Sequence, residues 1–408
     1  EKSIYQVCHI CFSKNKKAYY CPQVNKEIIA DLPPTEVDDM ARTFNKMTIN
    51  INEYVKSSLN ILKTKVYPDL IKGVKGTSNK DHIPEYLVKG FLRAKYDIYV
   101  NKDGTTRYDM SESPITAFKP KEIGTSIETL TSLGYTTDIN GDKLENDNQI
   151  VEIFPQDIIL PSKQDALEEQ ADDVMLKVGG YIDELLVKLY GEKKFYNYKS
   201  KHDLPGTLII CLAPHISCGT MGRVIGFSKN QVMLAHPMMH AAMRRDCDGD
   251  EACFILLMDG FLNFSRQYLP DRRGSRTMDA PLVLSTGIIP AEVDDQVHGL
   301  DVVKEYPLEL YEAALEYKNP WDVKVEQLKD RLNTISQYEN FNSTHPIGNI
   351  NTGPKISSYK VLPSMQEKLD GQMKLAKRIR AVNEANVASM VIQKHFLKDI
   401  KGNLRKFS

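Results

Sequence analysis

An α+β fold with a mainly β core is predicted for this chain from three features of its sequence. Apolar runs of strand length recur through the central half, as in Ile150-Val151-Glu152-Ile153-Phe154, Thr207-Leu208-Ile209-Ile210-Cys211-Leu212 and Ala252-Cys253-Phe254-Ile255-Leu256-Leu257-Met258. Turn residues punctuate them, notably Asn101-Lys102-Asp103-Gly104 and Asn140-Gly141. Helical periodicity is confined to a few stretches, and no internal repeat accompanies it.

From the N-terminus, Cys8-x-x-Cys11 followed by Cys21-Pro22 has the look of a zinc ribbon, since paired thiolates suit tetrahedral Zn²⁺. The fourth ligand would fall at Val24, so either a ligand comes from elsewhere or the site is degenerate. Pro33-Pro34-Thr35 breaks the chain, and Met40, Phe44, Met47, Ile51, Val55, Leu59 and Leu62 then mark one long helix or two short ones over 37–62. A hairpin is expected where Ile98-Tyr99-Val100 meets the turn at 101–104, with a further turn at Asn140-Gly141 and strands over 150–154 and 157–160. Tyr181 to Tyr190 reads as a helix stopped by Gly191. After the strand at 207–212, the glycines between Gly219 and Gly226 fit tight backbone corners at least as well as a phosphate cradle, because neither the Walker nor the dinucleotide spacing is present. Asp259 is expected to cap a helix running to about Leu269 and ended by Pro270. Met365, Leu369, Met373, Ala376 and Ile379 form an apolar helical stripe with Lys374, Lys377 and Arg378 on another face.

Chemistry concentrates in Asp246-Cys247-Asp248-Gly249-Asp250-Glu251. In an extended loop, side chains two apart share a side, so Asp246, Asp248 and Asp250 can converge on one point. Three crowded anions repel unless a cation lies between them, and hard carboxylate oxygens suit Mg²⁺. A solvated Asp-rich turn is the bland alternative. The flanks argue against it, since Gln231 to His236 and Ala252 to Met258 are both apolar runs of strand length. Calcium binding of the EF-hand type is a poor match, because its sixth and twelfth positions hold Glu251 and Leu257. His236-x-x-x-His240 is not the zinc helix of a metalloprotease, because Pro237 stands where that motif needs glutamate.

With 408 residues the chain is long enough for two or three domains, and 41% hydrophobic against 26% charged residues marks an ordinary globular chain. No stretch reaches the ~20 apolar residues of a membrane span and no signal peptide opens it, so an intracellular protein with no membrane partner is expected. It begins at Glu1 within a cysteine cluster, which suggests a fragment of something longer. The net charge of −1 argues against a uniformly basic coat, but the signs are segregated. From Lys374 onward nine Lys/Arg (Lys374, Lys377, Arg378, Arg380, Lys394, Lys398, Lys401, Arg405, Lys406) face only Glu384 and Asp399, and Arg272, Arg273 and Arg276 form a second cluster. Acid collects at 168–173 and 292–295. Such patches suit phosphate contacts, or they are solvated helix faces. Cys211, Cys218, Cys247 and Cys253 lie in or beside apolar segments and are expected to be reduced and buried.

Several of these runs resemble the large catalytic subunit of the archaeal family D DNA polymerase. They are Leu212-Ala213-Pro214-His215-Ile216-Ser217, Arg223-Val224-Ile225-Gly226-Phe227-Ser228, His236-Pro237 through Arg244-Arg245 to Glu251, Leu262-Asn263-Phe264-Ser265-Arg266, Met278-Asp279-Ala280-Pro281-Leu282 and Ala376 to Val382. Upstream, Lys72-Gly73-Val74-Lys75-Gly76, Phe118 to Gly124 and Leu185 to Gly191 extend the likeness over nearly the whole chain. The resemblance implies two double-psi β-barrels of the two-barrel polymerase type, with helical insertions and a basic C-terminal helix. On that scheme 1–30 is a degenerate zinc-ribbon-like segment, 31–65 a helical connector and 66–175 the first barrel region. Residues 176–290 hold a helix and the second barrel with the catalytic loop 246–251, 291–360 a mixed connector, and 361–408 a basic, amphipathic DNA-binding region.

By matching positions, Asp248 and Asp250 are implied as catalytic Mg²⁺ ligands, with Asp246 as a third. At the first position of the triplet, Asp246, the resemblance leads one to expect asparagine in many family members. Lys72 and Lys75 are the candidate lysines for the nucleotide and primer end. Arg244, Arg245, Arg272, Arg273, Arg276, Lys374, Lys377, Arg378 and Arg380 are the candidate DNA contacts, and Cys8, Cys11 and Cys21 the candidate Zn²⁺ ligands. Implied partners are primer-template DNA, deoxynucleoside triphosphates, a small proofreading exonuclease subunit and a sliding clamp. The implied location is the archaeal cytoplasm, at the chromosome. An RNA-synthesising two-barrel enzyme and a non-catalytic nucleic-acid-binding scaffold are the alternative readings.

Overall fold

The computed structural model describes residues 18–21, 26–30, 50–73, 85–101, 103–162, 169–214, 216–264, 282–341, 348–352, 364–379 and 382–405. Its strands are β1 Ala18–Cys21, β2 Lys26–Ala30, β3 Tyr108–Pro114, β4 Ala117–Phe118, β5 Val151–Glu152, β6 Asp157–Pro161, β7 Leu208–Leu212, β8 Cys218–Ser228, β9 Val232–Ala235, β10 Glu251–Leu256 and β11 Val283–Ser285. β1 pairs with β2 and β4 with β5 in two small antiparallel ribbons. The other seven strands form one mixed sheet, which meets the expectation of an α+β fold with a β core.

That sheet can be followed in a circle. β8 pairs with β6, β6 with β9, β9 with β3, β3 with β10, β10 with β7, and β7 returns to β8. β8 is long enough to serve both neighbours: its residues 220–223 meet β7, while 223–228 meet β6. Burial follows the pleat. Alternate residues of all six strands (Tyr108 and Met110, Ile158 and Leu160, Ile209 and Cys211, Val224, Met233 and Ala235, Phe254 and Leu256) enter one apolar cluster, whereas Ile159, Ile225, Val232 and Leu234 enter a second one. The period of two thus sends one face of each strand to a common interior.

The first five of the helices pack against this core. α1 (Ile51–Leu62), α2 (Leu87–Lys95), α3 (Ala171–Leu185), α4 (Pro237–Ala242) and α5 (Leu257–Asn263) precede α6 (Leu308–Leu315), α7 (Met365–Arg378), α8 (Glu384–Val391) and α9 (Leu397–Leu404). α3 opens ten residues before the helix expected from periodicity, with Asp172 and Asp173 complementing the dipole of its first turn. Gly179 and Gly180 disguise it in the sequence. A Cβ on either would lie 2.6 or 2.7 Å from the rings of Tyr198 and Tyr96, so close helix packing, rather than a break, explains the pair. A π-helical turn, Leu186–Tyr190, then leads to Gly191 at φ 71, the predicted stop.

Other expectations change. The hairpin at 98–104 is only a turn, because Asp103 accepts from Thr105 N and binds Arg107, while Thr106 N is taken by Asp259 instead of a partner strand. Asp259 is not a cap. It sits fully buried in the first turn of α5, accepting also from Asn263, and α5 ends at Asn263. The single sheet takes β3 and β6 from the expected first barrel region and β7 to β11 from the second, so the boundary at 175/176 does not separate two sheets. Two separate barrels are not seen among the described residues, whose large sheet is the one just described. Of the helix expected over 37–62, α1 is described and 37–49 lies outside the described residues.

Candidate active site

β9 runs directly into α4, which turns back through residues 243–250 into β10, so the carboxylate loop joins a buried helix to a buried strand of the sheet. Its conformation is tight. Arg244 (φ 58), Cys247 (φ 60) and Gly249 (φ 97) all adopt left-handed backbone, and only the glycine does so at little cost. These reversals break the extended alternation assumed from the sequence. Asp246 and Asp248 are exposed and Asp250 is partly covered, and among the described residues no three His, Cys, Asp or Glu side chains lie close enough together to hold a metal.

The donor set nevertheless suits a hard divalent cation. Partial burial, together with the charges of Asp248, Glu112 and Asp246, holds the Asp250 carboxyl above its ordinary range, while Arg245 opposes them from 3.4 Å. A cation among these oxygens relieves that repulsion, and three carboxylates with no nitrogen or sulfur donor are the chemistry Mg²⁺ prefers.

The loop is braced from below. Glu112 of β3 donates its backbone N–H to the Asp250 carbonyl, and Glu251 stands opposite Ser111 across the β3/β10 ladder. Glu112 and His240 of α4 are fully buried, with His240 Nδ1 2.6 Å from Glu112 Oε2. Neither residue is among the sequence-derived candidates. β3 reads Tyr-Asp-Met-Ser-Glu-Ser-Pro, too polar to announce a core strand, and His240 stands out in the sequence only through a zinc motif it does not complete. Alongside the loop opens a cavity of about 550 Å³, lined by Arg244, Thr220, Ser285, Glu292, Asp294 and Asp295 among others.

The remaining candidates are dispersed. Lys72 lies 2.6 Å from Asp97, over the Tyr99 ring, on a segment held to α2 by Lys72 N donating to the Gly90 carbonyl. Arg245 is engaged with Asp250 and the Arg244 carbonyl, whereas Arg244 is exposed. On α7, capped by reciprocal Ser364 and Glu367 bonds, Lys374, Lys377 and Arg378 are exposed, and of the predicted apolar stripe only Ala376 is fully buried. Lys75, Arg272, Arg273, Arg276, Arg380, Cys8 and Cys11 lie outside the described residues, while Cys21 ends β1. Cys211, Cys218, Cys247 and Cys253 are free, as expected. Burial holds for Cys211 and Cys253 but not for Cys218, which is exposed at the start of β8, nor for half-covered Cys247 in the loop.

The glycines of β8 prove to be packing positions. A Cβ on Gly226 would lie 2.6 Å from Thr125 Oγ1 and 2.8 Å from the Ile123 carbonyl, which leaves no room for phosphate.

Residues 63–368 match the family described as DNA polymerase II large subunit DP2, catalytic domain. The chain belongs to this family. DNA polymerase II large subunits resemble it over nearly its full length: that of Archaeoglobus fulgidus is 47% identical over 406 residues, covering 98% of the chain and 34% of the relative. The Nanoarchaeum equitans protein is 43% identical over 445 residues, covering 100% of the chain and 36% of the relative. That of Methanococcus maripaludis is 49% identical over 366 residues, covering 89% and 32%. The chain thus spans about a third of the length of these large subunits. The span that matches the catalytic domain contains the whole carboxylate loop, Glu112, His240 and the circular sheet.

Proposed function

We propose that this chain is the catalytic core of a DNA-directed DNA polymerase, extending a primer 3′ end in DNA replication. The observation that carries this reading is the position of Asp246, Asp248 and Asp250, on one tight turn between a buried helix and a core strand, within the matched catalytic domain. Asp248 and Asp250, with Asp246 beside them, would hold Mg²⁺. The chemistry such an ion would supply is acidification of the 3′-hydroxyl and neutralisation of charge on the triphosphate and pyrophosphate. The chain itself supplies position and charge rather than a nucleophile. Arg245 restrains Asp250, and exposed Arg244, which lines the adjoining cavity, is suited to a phosphate. Lys374, Lys377 and Arg378 on α7 can contact a nucleic-acid backbone without reading sequence.

The finer architecture belongs to the same proposal. We take the circular sheet as one double-psi barrel of a family D, two-barrel polymerase. Lys72 and Lys75 are the proposed lysines for the nucleotide and primer end, and Arg272, Arg273, Arg276 and Arg380 further backbone contacts. The relatives are named large subunits, which supports a smaller partner subunit. Proofreading by that partner, a sliding clamp, residence in the cytoplasm at the chromosome and a zinc ion at Cys8, Cys11 and Cys21 complete the reading.

Primer extension by the complete polymerase tests it. Asp248→Asn or Asp250→Asn should lower extension at least a hundredfold while primer-template affinity stays within about twofold, and deoxynucleotides should be incorporated in preference to ribonucleotides. Wild-type extension by both variants refutes the assignment.

A further inference from the structure

Glu112 is out of place by the logic of its strand. The inward positions of β3 are Tyr108, Met110 and Glu112, so a carboxylate occupies a site where its neighbours are apolar and is 2% exposed. Burying a carboxylate costs several kcal/mol unless donors surround it. They do not here. His240 Nδ1 comes within 2.6 Å of Oε2 but is poorly aligned, and neither Glu112 oxygen has a well-directed hydrogen bond. An apolar residue at this position would make a more stable core, so stability alone does not account for the pair.

Its surroundings point to the loop. The Glu112 backbone N–H donates to the carbonyl of Asp250 at 2.9 Å, and the His240 carbonyl accepts from Arg245 N at 2.9 Å. His240 Nε2 lies 3.2 Å from the carbonyl of Ser113 on the same strand as Glu112. The two residues therefore grip the loop at both of its feet and each other beneath it. The loop carries two non-glycine residues in left-handed backbone, Arg244 just before the first foot and Cys247 between the two, which persist only where neighbouring structure enforces them.

We propose that the buried Glu112–His240 pair is a positioning device: it sits beneath the Asp246–Asp250 loop and holds it in its strained shape, so that the carboxylates that receive the divalent cation keep their place. Neither residue touches substrate. This inference rests on the polymerase reading, because it deepens the role of the same loop. Groups that orient metal ligands from behind typically change metal affinity or activity ten- to a hundredfold when altered.

The test uses the complete polymerase in three forms, Glu112→Gln, His240→Gln and the double variant, with Asp248→Asn as reference. Extension is titrated with Mg²⁺, primer-template affinity is measured separately, and melting temperatures are recorded. The expected result is a roughly tenfold or greater rise in the Mg²⁺ concentration for half-maximal extension in Glu112→Gln, with DNA affinity within twofold. The double variant should be no worse than the worse single one, since the pair acts as a unit. If Glu112→Gln does not assemble, the same titration of His240→Gln decides. A wild-type Mg²⁺ curve in a folded variant overturns the proposal, as does a loss that follows melting temperature alone. If Asp248→Asn still extends primers, the polymerase reading itself fails, which is a distinct result from a silent Glu112→Gln.

Discussion

Gly249 and Gly226 both resist substitution, each by a different means, and alanine separates the two. At Gly249 the strain is conformational: φ is 97 and nothing lies within 4 Å of the position a methyl would take, so Gly249→Ala should cost about 1–2 kcal/mol without any clash. At Gly226 the added Cβ meets Thr125 Oγ1, the Ile123 carbonyl and Ile123 Cβ within 2.9 Å, so Gly226→Ala should cost about 1–3 kcal/mol by overpacking. Urea midpoints at constant m-value measure both. The two should also part in function: if the carboxylate loop holds the metal as proposed, added strain in it should raise the Mg²⁺ requirement for extension, whereas damage at Gly226, on the long strand β8, should leave the Mg²⁺ curve of the folded fraction unchanged. That Gly249 needs a turn is legible from the carboxylates around it. That Gly226 fills a crowded strand crossing is not, because a glycine in a strand looks the same whether it bends, binds or packs.

At the scale of the element, α4 is held at its start by His236, whose Nδ1 accepts from Met238 N while the ring is fully buried against Phe341. Burial, and then the charge of His240, push the His236 imidazole from 6.5 down to about 3. Its folded value is depressed, so the unfolded chain binds the proton first. The stability that neutral His236 permits is complete above pH 6.5 and is lost as pH falls toward 3, by on the order of 5 kcal/mol if no other group intervened. Asp259, raised by burial to about 6, acts in the opposite sense between its ordinary 3.8 and 6, where the folded state takes up the proton. His236→Asn keeps a capping acceptor but does not titrate. Its melting temperature should therefore fall less than that of the unsubstituted chain between pH 6.5 and 4, and equal slopes would contradict this explanation of α4.

For the whole molecule, what can be read from the sequence follows the strength of local pattern. β6, β7, β9 and β10 are continuous apolar runs and are legible there, as are the carboxylate loop and the capped helix α7. β3 is not, because Asp109, Ser111 and Ser113 hide its inward residues, and without β3 the circle of strands cannot be inferred. Long-range pairings such as β6 with β8 and β3 with β9 leave no local trace at all. For the same reason Glu112 does not stand out, since its meaning depends on a loop more than a hundred residues away. The dispersed basic groups make a further prediction at this scale. Replacing Lys374, Lys377 and Arg378 by alanine should weaken DNA binding for all sequences alike and lower the salt slope, d log K/d log[salt], by up to about 2.7 in magnitude, or about 0.9 for each phosphate no longer neutralised. An unchanged slope would show that α7 lies off the DNA path.

The most direct measurement is Mn²⁺ anomalous scattering from the complete polymerase bound to primer-template and a non-hydrolysable nucleotide. The expected result is a peak about 2.1 Å from oxygens of both Asp248 and Asp250, absent in Asp248→Asn. Strong peaks elsewhere in the molecule, with these two carboxylates left in solvent, would contradict the assignment of the loop as the metal site.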